Sequence, residues 1–466
     1  MLFNSVDFLL FLPLFFVLYW LIPSRKIRWQ NVLILGGSYL FYGWWDWRFL
    51  FLIVFSTLVD YFCGLQLARK PGEKRFLYLS LLVNLGILSA FKYFNFFLDS
   101  WYDLAANLGF SSVNNWAVDM VLPVGISFYT FQTLSYTIDV YRTKIPAERS
   151  LLNFAAFVSF FPQLVAGPIE RAKNLLPQIR NRRKFKYPQA VTGLRLILWG
   201  FFKKIVIADA LAYKVEEIFP NYEILNGGVL LLGLLYFAVQ IYCDFSGYSD
   251  IAIGTAKLLG INLMVNFRFP YFSKNVTEFW RRWHISLSTW FRDYVYIPLG
   301  GSRVSRNLAV RNIFIVFLLS GFWHGANWTF IGWGLANAML FVPVFLIRKR
   351  KEPTRDAVWV QWLKVGLTFF FVTLTWAFFR SDTIGDALLY LWKCFSEFQI
   401  PHTHRSGMEE VLILFLFDFL LRNDPGNLSS LDRLKRPLRW GIYLFLGLWI
   451  MSVFNTYQPP FIYFQF

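Results

Sequence analysis

Residues 320–351, "SGFWHGANWTFIGWGLANAMLFVPVFLIRKRK", hold an unbroken apolar run at 328–347, an ionisable ring at His324 before it, and four consecutive cations, Arg348 to Lys351, after it. About 20 mostly apolar residues let a helix cross the hydrocarbon layer, and clustered Lys and Arg mark its cytoplasmic end. The stretch therefore reads as a membrane span. The rest of the 466 residues agree: 56% are hydrophobic and 21% aromatic, more apolar surface than a water-facing protein could carry. Only 16% are charged, which excludes a soluble globular, disordered or coiled-coil chain.

The net charge is +18. Its cations fall in short clusters between apolar runs, with no basic domain beside them, so they are topology signals and not a nucleic-acid surface. Cys63, Cys243 and Cys394 are far apart in apolar surroundings and predict neither a disulfide nor a metal site. The N-terminal apolar run lacks a basic n-region and a small-residue cleavage site, and is expected to remain as a first span.

About twelve spans are expected, at 6–22, 30–44, 49–67, 76–91, 121–140, 191–208, 228–248, 312–323, 328–347, 358–379, 409–421 and 440–454. With the N-terminus outside, the cation-rich loops at 25–28, 69–75, 171–186, 348–351 and 433–439 all face the cytoplasm. The loops 95–120, 209–227 and 381–408 then face outward. Two stretches fit no span. Residues 151–188, broken at Pro162, Gly167 and Pro168 and flanked by cations, read as re-entrant. Residues 259–311 interleave charge with tryptophan and tyrosine, which suits short helices at the interface or dipping inward against protein. The whole is expected to be one polytopic domain, with N-terminal spans in 1–120, a core in 121–381 and further spans in 382–466.

Ionisable groups inside membrane segments are costly and usually functional. His402 and His404 lie in the polar loop "PHTHRSG" and read as solvated; H-x-H alone is weak as a metal site. His284 closes "WRRWH", where a helical reading puts Trp280 one turn before it and Ser288 one turn after. His324 is followed by Gly325, Ala326 and Asn327, small enough to admit a substrate beside the ring. Imidazole, with an unperturbed pKa of about 6.5, is the natural general base for a hydroxyl. On spacing alone, catalyst and satisfied core histidine are equal readings of His324. In "CDFSGYSD" Asp244 and Asp250 end an apolar run, with Arg281, Arg282, Lys203 and Lys204 available as partners. A buried ion-pair clasp is the better reading there and for Asp139 in "SYTIDVYR". No nucleophile elbow is present, so Ser246 and Ser249 are not hydrolase serines.

Six strings run in order across 121–381: "VLPVGISFYTFQTLSYTIDVYR" (121–142), "FPQLVAGPIER" (161–171), "QIYCDFSGYSDIAIG" (240–254), "NFRFPYFSKNVTEFWRRWHISLSTWFRDYVYIPLGG" (266–301), "GFWHGANWTFIGWG" (321–334) and "WAFFRS" (376–381). Together they resemble the membrane-bound O-acyltransferase family, in its bacterial branch of alginate O-acetylases, peptidoglycan O-acetyltransferases and teichoic-acid D-alanyl transfer proteins. The resemblance implies an all-α integral membrane fold, a ring of helices around a central tunnel in a bacterial plasma membrane. It also implies acyl transfer from a cytoplasmic thioester to an acceptor outside. His324 matches the family's active-site histidine, and His284 its second.

On this reading the donor is acetyl-coenzyme A or another acyl thioester, with no bound cofactor and no metal. The acceptor is an extracytoplasmic partner of SGNH-hydrolase type or a cell-surface polysaccharide such as alginate or peptidoglycan. Asn327 or a backbone N–H would steady the oxyanion, and Ser288, Trp283 and Trp323 would line the tunnel. Cations of 274–306 suit the phosphates of coenzyme A or a lipid-facing belt. His324 is expected at the floor of a cavity open to the outer side. The alternatives are D-alanyl transfer from a carrier-protein thioester, a transporter of polymer precursors, against which the polar residues concentrate in one motif zone and no internal repeat appears, and a scaffold without chemistry.

Overall fold

The computed structural model describes residues 1–109, 121–165, 167–347, 356–422, 424, 428–454, 459, 461 and 462. Among them there is no strand. Six helical runs are long and apolar enough to cross a membrane: Ile27–Arg69, Arg75–Asn107, Gly227–Leu258, Arg306–His324, Trp328–Ile347 and Val358–Arg380. Val6–Leu21 is apolar but shorter. The first run bends at Asp46, whose extended backbone separates Ile27–Asp46 from Leu50–Arg69, as the sequence division near 44–49 anticipates.

The helices overrun their expected ends where polar residues find partners inside the protein. The span expected at 76–91 continues through a π-turn, Ser89–Tyr93, to Asn107, so most of the expected outer loop 95–120 that can be described is helical. The span expected at 191–208 runs from Tyr187 through the π-turn Phe202–Ala208 into the helix Asp209–Ile218. The loop 381–408, expected to face outward, contains a capped helix, Ile384–Ser396. The stretch expected to be re-entrant is three short helices, Leu151–Val158, Phe161–Leu164 and Ala172–Arg180.

The chain forms two compact units, Met1–Ala190 with Thr255–Leu263, and Val191–Gly254 with Met264–Phe466. Residues 121–381 are thus shared between them. In the first unit the helix Ile126–Tyr141 is buried on nearly every face, so its polar groups must bond to protein. Asp60 accepts from Ser80 Oγ at 2.5 Å and from Asn84 Nδ2 at 2.9 Å. Asn84 Oδ1 in turn accepts from Ser56 and Thr133. Asp139 lies 3.9 Å from Lys144, and Arg183 donates to Asn31 at 2.6 Å.

In the second unit, Tyr187–Phe201 and Gly227–Leu258 touch backbone to backbone. A Cβ at Gly200 would stand 2.6 Å from the Gly247 carbonyl, and one at Gly254 would stand 2.5 Å from the Gly193 carbonyl. Small residues permit such an approach in a membrane. It brings Lys203 to Asp250 at 2.7 Å and to Ser246 at 2.8 Å, and Lys204 to Asp244 at 2.8 Å and Asp209 at 2.6 Å. Of the cations available from sequence, these two lysines therefore meet the carboxylates. Arg281 and Arg282 do not, because they lie on the separate helix Val276–Arg282, where Arg282 pairs with Glu278.

Removing one partner of a buried pair strands the other charge. Asp250→Ala should lower folded yield in detergent by about 3 kcal/mol of stability, the low end because a fifth of the carboxylate side chain is exposed. A stable but inactive variant would overturn the clasp. Gly200→Ala should cost about 1–3 kcal/mol through overpacking, seen as a lowered thermal midpoint; an unchanged midpoint would show that the contact gives way.

Candidate active site

His324 ends the helix Arg306–His324, and only residues 325–327 separate it from Trp328–Ile347. The two helices pack closely because a Cβ at Gly321 would lie 2.2 Å from the Phe330 carbonyl and one at Gly334 2.4 Å from the Phe317 carbonyl. The tight hairpin also corrects an expectation. The room beside Gly325 is taken by the Phe330 ring, which a Cβ there would meet at 2.0 Å, so this glycine serves packing and admits no substrate. His324 is buried, 4% exposed as a residue. It lies edge-on to Trp333 and Phe379, with ring centroids at 5.0 and 5.4 Å, and beside Trp323 at 5.0 Å.

His284 is not on a continuous helix. Val276–Arg282 stops before it and Ile285–Phe291 starts after it, with His284 between them at φ 42° and ψ 55° in the left-handed region. A non-glycine residue held there costs on the order of 1–3 kcal/mol and persists where its surroundings impose it. The imposing group is Asn266. Its carbonyl accepts from Ile285 N–H at 2.9 Å, and its Oδ1 accepts from Ser286 Oγ at 2.8 Å and lies 3.2 Å from His284 Nδ1. Asn266 Nδ2 donates to Ser249 Oγ at 3.2 Å. Phe245 meets the His284 ring edge-on at 4.6 Å. The helical spacing therefore fails between Trp280 and His284 but holds from His284 to Ser288, whose N–H donates to the His284 carbonyl at 3.0 Å. Trp280 packs on Phe317 and Trp333, and Ser288 Oγ donates to the Trp283 carbonyl.

The two histidines meet nonetheless, with ring centroids 6.4 Å apart. Both line a cavity of about 690 Å³ within the second unit. Ile313, Phe317, Ser320 and His324, spaced four, three and four apart, form one wall along a single helix face. At about 1.5 Å per residue this stripe is about 16 Å long. Arg281, Arg292, Tyr296 and Ser302 also line the cavity, and both arginines are exposed. The cavity thus follows the helix from His324 back toward its start, which in the expected orientation is the cytoplasmic side.

Trp283 and Ser288 are on its wall, whereas Trp323 and Asn327 are not. Asn327 has both amide groups engaged, Nδ2 on the Asp382 carbonyl at 3.0 Å and Oδ1 under Thr329 N–H at 3.0 Å. It caps the following helix and does not face the cavity. Trp283, Trp333 and Trp376 are fully buried, with Trp376 stacked on Trp333 at 5.9 Å. Asn266, Ser320 and Phe379 escaped sequence reasoning. All three lie in or next to the quoted strings, but their residue types carry no chemical signal until the fold sets them beside an imidazole. His404 Nε2 lies 3.3 Å from Glu217 on the expected outer face, and no cluster of metal-ligating side chains occurs among the described residues.

The sequence pattern of the membrane-bound O-acyltransferase family matches residues 34–381. Azotobacter vinelandii has a relative named probable alginate O-acetylase AlgI, 42% identical over 395 residues, which covers 83% of this chain and 76% of that protein. A Helicobacter pylori peptidoglycan O-acetyltransferase is 32% identical and covers all of this chain and 98% of its own. A Bacillus subtilis teichoic acid D-alanyltransferase is 31% identical over 53% of this chain and 66% of its own. The histidine-lined cavity among apolar helices and these likenesses agree: the chain belongs to the membrane-bound O-acyltransferase family and is a membrane acyltransferase.

Proposed function

We propose that the protein transfers an acetyl group from a cytoplasmic thioester, acetyl-coenzyme A, to a hydroxyl presented from outside, on an extracytoplasmic partner protein or a surface polysaccharide of the alginate or peptidoglycan kind. The observation that carries this reading is one cavity lined by two neighbouring histidines and by the exposed Arg281 and Arg292. A phosphate-bearing donor would leave its anionic part at the arginines and extend its thioester arm along the stripe Ile313 to His324. Acetyl transfer is favoured over D-alanyl transfer because the O-acetylases match more of the chain and at higher identity.

The chemistry needs no cofactor. His324 accepts the proton of the acceptor hydroxyl as its oxygen bonds to the thioester carbonyl carbon, and the tetrahedral intermediate collapses by breaking the C–S bond. The proton passes from the imidazolium to the departing thiolate, so thioester and alcohol are consumed and ester and free thiol are formed. A thioester is already activated, so orientation and exclusion of water supply most of the rate. His284, held by Asn266, is placed to orient the acceptor oxygen between the rings. The cation-rich loops support an orientation with the N-terminus outside and the arginine end of the cavity toward the cytoplasm.

Radiolabelled acetyl transfer from coenzyme A, measured on purified protein reconstituted with an extracytoplasmic acceptor, tests the base. His324→Ala should keep expression and donor binding but lose about a hundred- to ten-thousand-fold in turnover; near-normal turnover by a folded variant would sink the mechanism. His284→Ala should lose less. Arg281→Gln with Arg292→Gln should raise KM for acetyl-coenzyme A and spare kcat, and an unchanged KM would place the donor elsewhere. In a background without native cysteines, Glu397→Cys should react with an impermeant thiol reagent on intact cells and Lys435→Cys only after permeabilisation; the opposite pattern would invert the orientation.

A further inference from the structure

A second chamber of about 340 Å³ lies in the second unit, apart from the histidines. Its walls come from three helices and one loop: Leu198 on Tyr187–Phe201, Leu420 on Met408–Leu421, Leu446 on Arg436–Val453, and Leu431 in the turn Ser429–Arg433. The lining is almost wholly apolar, and the volume is within the range of small-ligand sites, about 300–1,000 Å³.

One end of the chamber is ionic. Arg195, itself 7% exposed, donates to Asp432 at 2.5 and 3.0 Å and to Tyr443 Oη at 2.7 Å, and Arg439 donates to the same carboxylate at 3.1 Å. Asp432 is therefore already shared by two guanidinium groups. Arg433, Lys435 and Arg436 stand exposed beside it, and among the described residues no carboxylate pairs with them. None of the three is on the chamber wall itself, but Arg433 and Lys435 adjoin the wall residue Leu434 in sequence, and an apolar chamber flanked by exposed cations is complementary to a molecule with a hydrocarbon tail and an anionic head.

We infer that this is a binding site for one anionic glycerophospholipid, with an acyl chain among Leu198, Leu420, Leu431 and Leu446 and the phosphate held by Arg433, Lys435 and Arg436. A zwitterionic lipid would satisfy the apolar walls but not the charge. Residues 428–434 lie between the helices Met408–Leu421 and Arg436–Val453, and the lipid would tie that pair to Tyr187–Phe201. Trp199, another wall residue, stacks on Phe202 in the π-turn that carries Lys203. The site rests on the chain's membrane location and not on the transfer chemistry proposed above, so activity is not its readout.

The probe is phosphatidylglycerol with a photoactivatable diazirine in its acyl chain, added to the purified full-length protein in mild detergent, with phosphatidylcholine carrying the same chain as the control. Labelled peptides mapped by mass spectrometry should contain Leu420 and Leu446. The surface variant Arg433→Gln with Lys435→Gln and Arg436→Gln should cut phosphatidylglycerol labelling at least about tenfold, since each cation attracts the anionic head, and leave phosphatidylcholine labelling unchanged. Leu446→Trp, which fills the chamber, should abolish both; if it does not elute as a folded species, the surface variant decides alone. Equal labelling by the two lipids, insensitive to the surface variant, would reduce the site to ordinary lipid contact. A diazirine residue at position 446 that links only to residues 423–427 would show that the chain fills the chamber itself. Either result overturns the inference.

Discussion

Glycines at 193, 200, 247 and 254 let two helices meet at backbone distance, and the second unit is arranged around that contact. Among helices in lipid there is little hydrophobic drive to association, so close packing and satisfied polar groups must hold the assembly. The contact supplies the first directly and the second by consequence. Once the backbones touch, Lys203 and Lys204 have nowhere to go but the carboxylates of Asp250, Asp244 and Asp209. Asp418, reached by Tyr242 Oη, adds the helix Met408–Leu421 to the same buried network.

The same contact reaches the candidate active site. It holds Gly227–Leu258, which presents Phe245 to the ring of His284 and Ser249 to the amide of Asn266. Asn266 then imposes the left-handed backbone that breaks the helix at His284 and turns the imidazole toward His324. The other histidine depends on a second backbone contact, between Gly321 and Phe330 at the hairpin top. Close helix contacts at glycine thus stand behind both imidazoles, through Asn266 for His284 and directly for His324. Reaction centres held this way need little reorganisation when substrate arrives.

Much of this was legible beforehand. Membrane location, the helical class and most helix starts follow from apolar runs, because the hydrocarbon layer sets a length and a composition that a sequence either meets or does not. His284 and His324 stood out because an imidazole in an apolar segment is expensive. Helix ends were less legible: the continuation past Tyr93 and past Ala208 depends on π-turns and on partners supplied by other helices. The helical reading of "WRRWH" failed because local spacing carries no information about Asn266, eighteen residues upstream, whose side chain competes for the backbone there.

By itself, then, the sequence determined the solvent this chain folds in and the residue types able to do its chemistry, since both follow from transfer energies and proton affinities that each residue carries with it. Tertiary structure alone decided that the two histidines face each other across 6.4 Å, that the space beside Gly325 belongs to Phe330, that Asn327 caps a helix, and which of four cations meet the buried carboxylates. Those outcomes turn on contacts between segments tens of residues apart. Such contacts exist only when close-packed helices leave each polar group a single partner within reach.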